Sequence, residues 1–109
     1  MQLSPTDFYM FAWQSGRAYA DFSCDRSEDA LDWASKSLRD RSGYLPAERM
    51  VAAAAARSRR TEQAQAAMAR LRELEATLRI SNLKDQIPYR RSEDLVRFAD
   101  ELTRAGLPA

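Results

Sequence analysis

Side chains that commonly perform chemistry are scarce in this sequence. It contains no His and a single Cys, Cys24. The lack of His excludes the commonest general base, the commonest metal ligand and every His-based triad. One Cys cannot form a CxxC site or a Cys-rich zinc site. Three isolated glycines form no Gly-rich phosphate loop, and they are Gly16, Gly43 and Gly106. We therefore predict no cofactor and no metal.

Acidic residues offer the only pairing with catalytic geometry. Asp25–Asp29 and Glu28–Asp32 are each four residues apart, so each pair would lie on one face of a helix. Two neighbouring carboxylates can bind Mg²⁺ or divide acid and base roles. Helix capping and solvation explain the same residues more simply. The sequence therefore predicts a protein that is not an enzyme.

Basic residues concentrate in the middle of the chain. Residues 46–91 hold ten basic and five acidic side chains, and the densest groups are Arg57, Arg59 and Arg60 and the pair Arg90 and Arg91. Such groups can contact phosphates or an acidic protein surface, or they can simply solvate an Ala-rich helix. A helix-turn-helix arrangement would make the helix from Pro46 the reader, and its five consecutive alanines offer no base-edge donors. Nonspecific phosphate contact is the nucleic-acid interpretation that remains.

Aromatic residues concentrate at the other end. Seven of the ten lie between Phe8 and Trp33. In the predicted first helix, one stripe runs from Phe8 to Phe22 at three- and four-residue spacing, and Tyr9 and Trp13 form a second stripe beside it. Either both stripes supply the core, or Tyr9 and Trp13 stay exposed and anchor a partner, since Tyr, Trp and Arg dominate interface energetics.

Composition predicts the fold class. Val and Ile together number 4, against 19 Ala and 11 Leu, which favours helices over a sheet. We predict a single all-α domain, residues 1–109, with short helices packed on one long central helix. Caps and hydrophobic periodicity place the helices at 4–22, about 28–42, 46–80 and 92–105.

The segment 46–80 leaves two structures open. No Gly or Pro lies between residues 47 and 87, which favours one continuous helix and four helices in all. Arg57 and Arg60 interrupt its apolar seam, so a break near Arg57–Thr61 would give five helices. A heptad pattern defines the seam, which comprises Ala64, Ala67, Leu71, Leu74 and Leu78. We expect this seam either to form a homodimer or to receive the last helix.

These features favour a binding protein. The preference for Arg (15) over Lys (2) and the abundance of Ala indicate GC-rich codons, hence a high-GC bacterium, its plasmid or its phage. We expect a bacterial cytoplasmic location, because no apolar run approaches the roughly 20 residues that span a bilayer and no secretory signal is visible. The leading hypothesis is a phage- or mobile-element-type inhibitor that blocks a host protein or ribonucleoprotein machine, for example a CRISPR-Cas defence complex. The alternatives are a nucleic-acid-associated protein and a coiled-coil oligomer.

Overall fold

The computed structural model describes residues 5–85 and 92–108, and within these ranges all regular structure is helical. The helices are α1 (Pro5–Ser23), α2 (Ser27–Asp40), α3 (Leu45–Arg57), α4 (Thr61–Leu74) and α5 (Ser92–Ala105), with a short 3₁₀ helix at Ile80–Asp85. The predicted all-α class is thus confirmed, with the larger of the two helix counts. No helix in the described residues combines the length and apolar character that crossing a membrane requires.

Helix α3 lies at the centre, because α1, α2, α4 and α5 all contact it. Ten of its thirteen residues are buried, including the alanines at 52–56. Ala has the highest helix propensity of all residues. Its side chain is also small, so neighbouring helices can approach an Ala-rich helix closely on every side. The large core side chains come mainly from the surrounding elements. They include Phe22, Leu71, Leu83, Phe98 and Leu102.

The prediction of one continuous helix over 46–80 is wrong. Helix α3 ends at Arg57 and α4 begins at Thr61. The break occurs at Arg59, whose φ of 62° is left-handed. The amide of Arg60 donates to the carbonyl of Ala55 at 2.9 Å, and that of Arg59 to Ala56 at 3.2 Å. These two bonds form a Schellman motif, made without the Gly that usually marks it.

The predicted dimer seam is also placed differently. Ala64, Ala67, Leu71 and Leu78 are all buried within the chain's own core, and Leu78 lies beyond the end of α4. Leu74 alone stays exposed, at 45%. Contrary to the expectation of a coiled coil, four of the five side chains are therefore unavailable to a second subunit. The reason is the break at Arg59, which lets α4 pack on α3.

Buried polar residues on α3 are paired. The Arg49 guanidinium donates two hydrogen bonds to the Glu75 carboxylate, at 2.9 and 2.6 Å. The buried Glu48 carboxylate accepts one from Arg70 Nε at 2.9 Å. Breaking such a pair leaves an uncompensated buried charge. These bonds fix α4 and the segment after it against α3.

Replacing Leu71 tests whether the seam belongs to the monomer. Leu71 is completely buried, so Leu71→Ala should lower the free energy of unfolding by about 2–5 kcal/mol. Leu74→Ala removes an exposed side chain of the same type and should cost far less. Chemical denaturation of both variants measures the difference. If the melting temperature of the wild type rose with protein concentration, the seam would instead belong to an interface between two chains.

Candidate functional site: an exposed indole patch

Two tryptophans form an aromatic pair on the outer surface of α1 and α2. Trp13 on α1 is 56% exposed. Trp33 on α2 is half-buried and packs against the core. Their ring centroids lie 5.2 Å apart with the planes at 90°, an edge-to-face geometry that favours the pair beyond simple burial. Trp33 thus supports Trp13 from below while the ring of Trp13 faces solvent.

Two cations flank the pair. The Lys36 ammonium nitrogen lies 4.4 Å from the centroid of the Trp33 ring, and the Arg17 guanidinium carbon lies 5.8 Å from it. Both distances are within the range of a cation–π interaction. Helical geometry brings Lys36 to Trp33, since residues three apart share a face. We call Trp13, Arg17, Trp33 and Lys36 the indole patch.

Other aromatic residues fill the core near α1, so the core does not require Trp13. Tyr19 and Phe22 are buried, and each ring lies 5.6 Å from that of Phe98 on α5. The Tyr19 hydroxyl also donates to the Pro46 carbonyl at 2.8 Å. Of the two interpretations of the second aromatic stripe, the structure therefore matches exposure at Trp13. Tyr9 belongs to α1, but its side chain lies outside the described residues.

Of the four residues of the indole patch, sequence patterns singled out only Trp13. The spacing along α2 places Trp33 beside the apolar stripe of that helix and offers Lys36 an ion pair with Asp32, four residues earlier. In the structure the Lys36 side chain lies over the indole instead. The spacing of Trp33 and Lys36 was the available indication. The contact of Trp33 with Trp13 could not be predicted, because it depends on how α2 packs against α1.

Of the predicted basic group Arg57, Arg59 and Arg60, which we call the basic ridge, two members form ion pairs within the protein. Arg57 donates two hydrogen bonds to one carboxylate oxygen of Asp25, at 3.2 and 2.8 Å. Arg60 donates to Glu28 at 3.3 Å. Between them, the Ser58 hydroxyl donates to the Ser27 hydroxyl at 3.0 Å. The turn after α3 is thereby docked on the turn between α1 and α2, and we call this contact the turn latch.

Charges at the turn latch are largely compensated. Arg57 also lies 3.6 Å from the buried carboxylate of Glu101, and Arg59 is the one arginine of the three that makes no ion pair with a described residue. A phosphate ligand would have to displace carboxylates from Arg57 and Arg60. This arrangement favours a structural role for the ridge. Arg90 and Arg91, the other basic pair, lie outside the described residues.

Carboxylates that could have served catalysis take part in the same latch. Asp25 is held by Arg57 and Glu28 by Arg60. The Arg57 hydrogen bonds and charge hold the pKa of the Asp25 carboxyl below its ordinary value, and the same contacts raise the pKa of Arg57. In the described residues, no group of three His, Cys, Asp or Glu side chains is arranged to hold a metal ion.

A second concave surface lies between α2 and α4. This groove has a volume of about 810 Å³, and Val51 and Ala67 are among its lining residues. Arg70, which also lines it, bonds Glu48 and the Ser42 hydroxyl, the latter at 2.7 Å. Arg70 of α4 is thus bonded both to α3 and to the residues that follow α2. The indole patch, by contrast, exposes both an aromatic ring and an ammonium that no acid among the described residues pairs with.

Comparison of the chain with protein-family models, curated proteins and solved structures finds no match. Among the features described, the indole patch combines a large exposed apolar side chain with charge and with a fixed orientation. Those are the properties of an interface anchor.

The latch predicts a pH-dependent contribution to stability. Because the folded pKa of Asp25 lies below its unfolded value, the contribution is fully present above an unfolded pKa of about 3.9 and is lost as pH falls through the folded pKa. The difference in unfolding free energy between wild type and Asp25→Asn should therefore shrink on acidification. Asp100→Asn, at an exposed position on α5, is the control. A difference that stays constant down to low pH would show that the ion pair contributes nothing.

Intrinsic fluorescence reports on the patch alone, because Trp13 and Trp33 are the only tryptophans. The neighbouring Lys36 ammonium should favour quenching by iodide and disfavour quenching by caesium at equal ionic strength. Replacing Lys36 with Gln should reduce this bias, whereas Arg72→Gln on α4 should not. An iodide-to-caesium quenching ratio that is the same in wild type and in Lys36→Gln would contradict the described placement of the cation.

Proposed function

We propose that this protein is a non-enzymatic interaction module that occupies the surface of another protein through the indole patch. The observation that carries the proposal is the exposure of Trp13, 56%, on top of Trp33. A large aromatic ring left in water outside a filled core gains most by burial against a partner. Its contact with Trp33 restricts it before binding, which reduces the side-chain entropy that association costs.

The biological role we propose is that of a phage- or mobile-element-type inhibitor or regulator acting in the bacterial cytoplasm. Blocking a host protein or ribonucleoprotein machine requires only that a surface be covered, and it needs no catalytic group. The Arg- and Ala-rich composition supports a high-GC bacterial setting. A CRISPR-Cas defence complex is one such machine.

Affinity capture with matched variants tests the interaction. Wild type, Trp13→Ala and Val96→Ala are each used as bait in lysate of a high-GC bacterium, and retained proteins are quantified by mass spectrometry. Val96 on α5 is 58% exposed, so its truncation controls for loss of exposed apolar surface. We expect a partner retained by wild type and Val96→Ala and lost with Trp13→Ala. Equal recovery on wild type and Trp13→Ala, or no specific recovery, contradicts the proposal.

The inhibitory role has its own test. Plaques are counted for a phage targeted by a CRISPR-Cas system in cells that express wild type, Trp13→Ala or Val96→Ala at equal levels. Inhibition predicts that wild type and Val96→Ala restore plaques and that Trp13→Ala does not. Unchanged plaque counts with wild type argue against that defence complex as the target. They leave the capture result to decide the interaction itself.

A further inference from the structure

We infer that the indole patch recognises a protein segment that presents a carboxylate next to an apolar side chain. This inference rests on the proposed function and specifies the chemistry of its partner. Two neighbouring features of the patch support it. One is an ammonium that has no counter-ion within the described part of the chain, and the other is an exposed aromatic surface.

Lys36 supplies the ammonium. It forms no ion pair or hydrogen bond with any residue that the structure describes, and its nitrogen is held 4.4 Å from the Trp33 ring. Asp32 lies four residues earlier on α2, yet Lys36 does not pair with it. An ammonium retains strong donors while it lies over an aromatic face. A carboxylate that approached from solvent would form a charge-assisted hydrogen bond with it.

Trp13 and Met10 supply the apolar surface. They lie three residues apart on α1, so they share one face of that helix, and they are 56% and 47% exposed. Burial of these side chains would favour a partner with an aliphatic or aromatic residue. Because Trp13 contacts Trp33, and Lys36 lies over Trp33, the apolar and charged halves of the site adjoin each other.

The surrounding charge favours an isolated carboxylate over a polyphosphate. Residues 5–40 carry seven acidic and four basic side chains. Asp29 and Asp32 are exposed on α2 close to Trp33 in sequence, and Arg17 has a partner in Asp21 at 3.4 Å. A nucleic-acid backbone would be repelled over most of this surface. A single carboxylate need meet only Lys36.

A random-peptide phage-display library provides the probe. Peptides are selected on the full-length protein, and those that fail to bind Trp13→Ala are sequenced and synthesised. We expect Asp or Glu beside an aromatic or aliphatic residue. For the strongest peptide, Lys36→Glu should weaken the affinity about tenfold or more, and replacing the peptide's acid with Lys should restore binding to that variant. Arg72→Glu on α4 should leave the affinity unchanged, and thermal melts confirm that each variant is folded.

The possible results separate the two proposals. Trp13-dependent peptides without an acid, or peptides indifferent to Lys36→Glu, overturn this inference and leave the interaction module standing. A selection that yields no Trp13-dependent peptide contradicts the interaction module as well. Oligothymidylate is tested in parallel by fluorescence anisotropy. Trp13-dependent binding of oligothymidylate would assign the patch to single-stranded nucleic acid and would overturn the inference.

Discussion

The architecture depends on one constraint, which is that the central helix must be covered on nearly every side. Helix α3 can lie there because its side chains between 52 and 56 are methyl groups. Larger side chains on the same faces would push the surrounding helices apart or force strained rotamers. The cost of this position is the burial of two charges, and the pairs Glu48–Arg70 and Arg49–Glu75 compensate for it. A central Ala-rich helix therefore determines both how the other helices pack and where ion pairs are required.

The same constraint also explains why the candidate site lies on the surface of α1. Since α3 contributes little volume, the surrounding helices supply the bulk of the core, and α1 does so through Tyr19 and Phe22. Tyr19 and Phe22 are sufficient to hold α1 against the core. The next stripe of the helix is left outside the core, where Trp13 meets Trp33 across the α1–α2 pair. The proposed interaction surface is thus formed by an aromatic residue of α1 that lies outside the core-facing side of that helix.

Local rules predicted most of the fold. The last helix runs from Ser92 to Ala105, within the predicted bounds, and Gly43, directly after the predicted second helix, is left-handed with φ of 80°. A break near Arg57–Thr61 was one of the two predicted alternatives, but a left-handed residue at Arg59 could not be predicted, because Arg ordinarily avoids that conformation. Contacts distant in sequence stabilise it, chiefly Arg57 with Asp25, which is itself left-handed. The two charged residues on the predicted seam, Arg57 and Arg60, were the one local indication that the seam did not continue.

The site was less predictable than the fold for a related reason. Counting residues along α1 separated Trp13 from the core stripe. The partner of Trp13 depends on how α2 is set against α1, and that register follows from the turn at Asp25, where a residue other than Gly adopts φ of 63°. Lys36 had two helical neighbours of suitable spacing, Asp32 and Trp33, and pattern alone favours the ion pair.

The measurement that tests the central claim most directly is the free energy of unfolding of Trp13→Ala beside that of Trp33→Ala. If Trp13 is an interface residue, its truncation should cost far less than the loss of a core aromatic, because more than half of the side chain is already in water and only its partial burial and its edge-to-face contact with Trp33 are lost. Trp33→Ala should cost clearly more, because Trp33 packs against the core. A loss of about 3–5 kcal/mol for Trp13→Ala, the cost of removing a core aromatic, would show that Trp13 serves the fold, and the interaction surface proposed for it would be wrong.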